Sequence, residues 1–158
     1  MARKDITMTA DEIHAFFAES MTLQVATIGK DGFPHVAPMW FVVEDNRVVF
    51  RSFSKSQKIV NLERNPKLTV LIESGLDYSE LRGVMIKGEA RLITDRDYVL
   101  AMYGKLAARY PMINDEPVDL DPEALEAAFG RMADKNTAVV VEPVKIISWD
   151  HRKIGGGY

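Results

Sequence analysis

Residues 51–66 read RSFSKSQKIVNLERNP. The β-branched and aromatic run RVVFRSF (47–53) ends in a polar turn that offers Ser52, Ser54, Lys55 and Ser56. Ser54 with Gln57 is a capping-box pattern, and Ile59, Val60 and Leu62 predict a short helix that Asn65-Pro66 stops. A strand therefore runs through a polar turn into a helix with Lys58 in its first turn. Free main-chain N–H groups at such a helix start, together with hydroxyls and a lysine, form a cradle for phosphate. The same residues also suit an ordinary capped helix with solvated lysines, because capping boxes are common.

Upstream, Thr9 with Glu12 opens a predicted helix over residues 9–20, with Ile13, Phe16 and Phe17 at helical spacing. TLQVATI then reads as a strand up to the turn Lys30-Asp31-Gly32, and HVAPMWFVV as the next strand up to Glu44-Asp45-Asn46. Pro38 cannot donate a ladder hydrogen bond, so that second strand belongs at a sheet edge or a bulge. Downstream, KLTVLIE and VMIKGEARLI are strands separated by a polar loop over 74–82. The latter alternates cleanly, with Val84, Ile86, Ala90 and Leu92 inward and Lys87, Glu89 and Arg91 outward. Thr94 with Asp97 opens a helix through about residue 109, and Asp121-Pro122 caps another through about residue 134. The last strand is TAVVVEPVKIISW, and a tail begins at about residue 150.

That count gives six strands with short peripheral helices in one domain over residues 1–158: a mainly β antiparallel barrel with some α. Closing such a sheet removes its unpaired edges. The apolar run AVVVEPVKII suggests burial on both faces, as a second copy of the chain would supply.

The composition narrows the function classes. Of 158 residues 47% are apolar and 27% charged, which suits a globular domain rather than a disordered one. A net charge of −3 argues against bulk nucleic-acid binding. With no cysteine there can be no disulfide, thiolate metal site or cysteine nucleophile, as in a reducing compartment. The start MARKDITMTADE turns acidic before any apolar run, unlike a secretory signal, and no apolar stretch nears the ~20 residues of a membrane span. The expectation is a cytoplasmic protein that acts on a small molecule, away from membranes and nucleic acid.

The ordered segments GKDGFPHVAPMWFV, VVFRSFSKSQKIVNLERNPKLTVLIE and GVMIKGEARLI resemble the pyridoxamine 5′-phosphate oxidase-like split β-barrel superfamily. The resemblance is close over about residues 20–95 and weaker over the last strand and WDHRKIGGGY. It implies a homodimer with a flavin or deazaflavin at the interface, its phosphate held by the strand-to-helix turn. Carried over to this chain, Ser52, Phe53 and Ser54 line the ribityl chain, and Ser56 and Lys58 hold the phosphate. Met39, Trp40 and Phe41 approach the rings, while Gly83, Val84 and Trp149 come from the other protomer.

Two departures bear on the cofactor. Members that use flavin mononucleotide (FMN) carry an Arg-Lys pair where this chain has Gln57-Lys58, and basic residues in the strand that here reads HVAPMWF. The sequence is more similar to the branch that uses coenzyme F420, a deazaflavin whose phosphodiester carries one charge rather than two. Lys55, Arg51 and Arg64 are candidate partners for the carboxylates of its oligoglutamate tail. The implied activity is an F420-dependent reductase acting on a small electron-poor organic substrate. The alternatives are an FMN-dependent oxidase or reductase and a non-catalytic carrier of F420 or haem.

No residue has a proton-donor signature strong enough to name as catalytic. His14, His35 and His151 lack metal-ligand spacing, so no metal site is expected. His35, Tyr78, His151 and Tyr158 are each as suited to packing or surface as to a pocket wall.

Overall fold

The computed structural model describes residues 5–155; Tyr158 and the end of the Gly155-Gly156-Gly157 run lie outside them. Seven strands form one antiparallel sheet: β1 (Leu23–Ile28), β2 (Pro34–Met39), β3 (Val42–Glu44), β4 (Arg47–Phe53), β5 (Lys67–Ser74), β6 (Arg82–Ile93) and β7 (Asn136–Asp150). The order across the sheet is β2-β1-β5-β6-β7-β4-β3. The helices are α1 (Ala10–Glu19), α2 (Gln57–Arg64), α3 (Arg96–Ala107) and α4 (Pro122–Ala133).

Topology alone curls this sheet. β2 and β3 occupy its opposite edges, yet only Trp40 and Phe41 separate them in sequence. Laid flat, seven strands would hold those edges about 29 Å apart, whereas the few bonds through Trp40-Phe41 span roughly 10 Å. The sheet must roll until its edges meet without pairing, which is a split barrel. The expected single strand HVAPMWFVV is thus two, and the count rises from six to seven. Periodicity misses the break because Trp40 and Phe41 are themselves good strand formers. Pro38 does sit on an edge strand, opposite Gln24 of β1.

Two apolar clusters hold the barrel. The interior one combines Leu23, Val25, Phe50, Val70, Ile72, Val84, Val139 and Val141 with plugs from the helices: Phe16 and Phe17 of α1, Ile59 and Leu62 of α2. The second lies outside, where α3 and α4 cover β3, β4 and β7 through Val49, Val99, Met102, Tyr103, Leu106, Phe129, Ala138 and Val140. The first half of β7 is therefore buried on both faces by its own protomer, and no second chain is needed to explain AVVV. Its second half differs: Val144 is 74% exposed and Ile146 47%.

Several local signals act as their chemistry requires. Thr9 and Glu12 form the reciprocal capping box of α1, and Asp121 caps α4 with Pro122 behind it. Asp45 and Asn46 both take positive φ, giving the two-residue turn whose twist suits the β3–β4 hairpin. In β6, Val84 and Ile86 are buried while Lys87, Glu89 and Arg91 are exposed. Two caps differ from expectation. α3 is capped by Asp95, not Thr94, its carboxylate accepting from the Tyr98 N–H. α2 starts after Ser56, not Ser54, because Ser54 is drawn across to β7. Among the described residues no helix is long and apolar enough to cross a membrane.

Candidate functional site

The end of β4 and the start of α2 gather the polar side chains of the predicted cradle. β4 delivers Ser52, which is buried, and the chain turns back so that Ser56 meets it with 2.9 Å between hydroxyl oxygens. Lys58, in the first turn of α2, donates from Nζ to Ser52 Oγ at 3.2 Å. No carboxylate among the described residues forms an ion pair with Lys58. Burial of this ammonium pushes its pKa below the ordinary lysine value.

Ser56 occupies the N-cap position but makes no side-chain bond to the helix it precedes. Its hydroxyl is taken up by Ser52. The opening N–H groups of α2 thus keep the positive end of the helix dipole uncapped, beside a desolvated lysine and two hydroxyls. That donor set fits one phosphate group with a single negative charge. A dianion would find one basic side chain here, since Gln57 donates instead to Asn61 Oδ1 at 2.8 Å.

The remaining predicted residues divide by position. Ser54 bonds Thr137 of β7 at 2.8 Å, so it braces the turn, and its N–H donates to Lys135 O. Phe53 is 48% exposed beside the turn, and Lys55 is exposed at its tip. Arg64, a candidate for the cofactor tail, donates to Ile28 O and to Asn61 Oδ1. Arg51 points away from the cradle, since strand alternation puts it on the α3 side of β4 and Ser52 on the other.

Met39 and Trp40 border a cavity of about 340 Å³ together with Thr22, Pro38, Arg51 and Leu106. Trp40 stacks on Tyr110 at 4.7 Å between ring centroids and 10° between planes. The side chain of Phe41 is fully buried, so only its main chain can face a ligand. That main chain is itself engaged: Tyr110 Oη accepts from Phe41 N–H at 3.1 Å and donates to Phe41 O at 2.8 Å. Val84 is likewise spent on the barrel core.

Gly83 and Trp149 pair across β6 and β7. A β-carbon at Gly83 would fall 2.1 Å from Trp149 Cζ2, so glycine is what admits the indole. This pair lies at the far end of β7 from the cradle, whose β4 residues face Asn136 and Thr137. The separation is about 40 Å measured along the strand.

Sequence reasoning left His35 open and passed over Asn61 and Thr27. His35 lines a second cavity, of about 430 Å³, with Gln57 and Asn61, and its Nδ1 is buried without a hydrogen-bond partner. Asn61, fully buried, donates to Thr27 Oγ1 at 3.0 Å and so ties α2 to β1. Tyr78 and His151 are paired with each other at 4.6 Å, with His151 Nδ1 2.7 Å from Tyr78 O.

Comparison with known proteins agrees with the fold. No functionally curated protein matches the sequence significantly. A conserved hypothetical protein of Mycobacterium tuberculosis is 34% identical, with a TM-score of 0.87 over 100% of this chain and 94% of that one. An F420 reductase is 23% identical, with a TM-score of 0.63 over 85% of this chain and 94% of its own. The haem storage protein HutZ of Vibrio cholerae is 18% identical, with a TM-score of 0.60 over 89% and 94%. The last two establish shared fold only. The family model for pyridoxamine 5′-phosphate oxidase matches residues 9–150, which include the whole sheet, and the chain therefore belongs to the pyridoxamine 5′-phosphate oxidase-like split-barrel family.

Proposed function

We propose that the protein is a homodimeric oxidoreductase that binds coenzyme F420 and reduces a small electron-poor organic molecule. The observation that carries this reading is the uncapped start of α2 beside Lys58, a donor set suited to a singly charged phosphodiester. Ser52 and Ser56 would orient that group, Lys58 would neutralise it, and Met39 and Trp40 would flank the ring system. When bound, the deazaflavin supplies a hydride; the protein holds it in place and limits access of water. Gly83 and Trp149 sit too far along β7 to share a ligand with Lys58 of the same chain, so a second protomer would bring them.

A second reading, FMN as cofactor, is favoured by the family match itself. Against it stands the cradle's single basic side chain, which leaves a dianion half neutralised. The absorption spectrum of freshly purified protein tests the choice. A single violet band is expected for a deazaflavin. A paired yellow flavin spectrum would move the assignment to FMN, and a Soret band would move it to haem carriage.

A further inference from the structure

Arg51 is a half-buried cation with no anion beside it. It leaves β4 toward α3, where its guanidinium lies over the Tyr103 ring at 4.2 Å and Nη1 donates to Asn136 Oδ1 at 3.2 Å. Both partners are neutral. No Asp or Glu among the described residues pairs with it, and Nε is buried without a hydrogen-bond partner. Proteins seldom leave a charge so placed uncompensated, because its desolvation is returned only by a counter-charge or strong hydrogen bonds. Burial lowers the pKa of Arg51 from the ordinary arginine value, and Tyr103 partly offsets it.

The guanidinium does not face a blank wall. It borders the cavity of about 340 Å³ whose other walls are Pro38, Met39, Trp40, Leu106 and Thr22. An apolar, partly aromatic chamber with one planar cation at its margin recognises a particular shape: a flat hydrocarbon body ending in a carboxylate. Lysines at the surface could not give this selectivity, since a guanidinium held by a ring and an amide is fixed in plane before the ligand arrives.

We propose that this cavity is the substrate pocket and that it takes small planar carboxylic acids, anchored through Arg51. The word substrate rests on the oxidoreductase reading above; the carboxylate preference does not. One other source of the same chemistry is the oligoglutamate tail of coenzyme F420, and the experiment separates the two.

Benzoate and its neutral isostere benzamide are titrated into the cofactor-free protein, following the Trp40 indole signal by NMR. Benzoate should bind in the millimolar range or tighter, about ten- to a hundredfold more tightly than benzamide. In Arg51→Gln that preference should vanish while benzamide binding stays near its parent value. Equal affinities in the parent protein, or no saturable benzoate binding, would overturn the proposal without any variant having to fold. Coenzyme F420 and its form without glutamates are then titrated into parent and Arg51→Gln. Both should bind the two proteins alike. Loss confined to the glutamylated form would assign Arg51 to the cofactor tail and overturn the substrate pocket. Because the benzoate arm contains no cofactor, a failure of the F420 assignment would leave its result standing.

Discussion

Lys58 keeps its ammonium partly buried beside Ser52 and Ser56 and away from any carboxylate. The folded state thus penalises its charged form, and its pKa lies below the ordinary lysine value. The sign follows directly. The penalty is fully present while Lys58 is protonated in both states, and it is relieved as pH rises from the lowered folded value toward the ordinary one. A bound phosphate would offset the penalty and raise the pKa. NMR titration of the Lys58 side chain should therefore show a depressed pKa that climbs when inorganic phosphate is added; an unshifted pKa, indifferent to phosphate, would mean that this turn is not the cradle. The meeting of Ser52, Ser56 and Lys58 was legible in the sequence, because they lie within seven residues of one another on a strand-to-helix turn. Ser54 and Arg51 were not, since their directions are set by Thr137 and Asn136, more than eighty residues further on. Nor could spacing show that Phe41 and Val84 are spent on the core.

Between elements, the seam of the barrel hangs on Tyr110. Its hydroxyl answers both main-chain groups of Phe41, and its ring stacks on Trp40, at the point where the chain steps from one sheet edge to the other. Arg109 adds a bond from Nε to the same hydroxyl at 3.1 Å and another from Nη2 to Phe17 O at 2.7 Å, linking the seam to α1. Tyr110→Phe preserves the stack but leaves a buried N–H and C=O unanswered, which should cost about 1–3 kcal/mol. Urea unfolding measures this, and a loss under about 0.5 kcal/mol would mean that water replaces the hydroxyl at the seam. Hairpins, helices and caps with local chemistry were readable: the Asp45-Asn46 turn, the Thr9–Glu12 box, the Asp121-Pro122 cap. The break at Trp40-Phe41 was not, because only the closure of the sheet creates it. The caps of α2 and α3 moved by two residues and one: Ser54 is held by Thr137 across the sheet, and the Asp95 carboxylate, not Thr94, takes the Tyr98 N–H.

For the whole molecule the proposed function calls for a second copy. The apolar side chains Val144 and Ile146 on β7, Phe33 and Val36 at the start of β2, and Phe53 by the cradle are exposed in the single chain, and a second copy would have them to cover. Gly83 and Trp149 lie far from Lys58 on the same chain, so under the proposed shared site they would come from a second copy. Sedimentation at micromolar concentration should give twice the chain mass of 17.8 kDa. A monomer that still binds cofactor would remove both the dimer and the shared site. The antiparallel barrel itself was legible from alternation and turn spacing, whereas covering by α3 and α4 was not. That covering explains the doubly buried half of β7 without a partner.

The central claim, that the start of α2 holds the cofactor's phosphate through Lys58, is tested most directly by one set of titrations. Coenzyme F420 is added to the parent protein, to Lys58→Ala and to Lys30→Ala, following quenching of the deazaflavin fluorescence at fixed ionic strength. Lys58 would contribute a charge-assisted hydrogen bond of about 1.5–3 kcal/mol. Its removal should weaken binding about ten- to a hundredfold, with the melting temperature of the cofactor-free protein nearly unchanged. Lys30, exposed in the β1–β2 turn, should be replaceable without effect on either. Equal affinity of parent and Lys58→Ala would contradict the account and place the phosphate elsewhere.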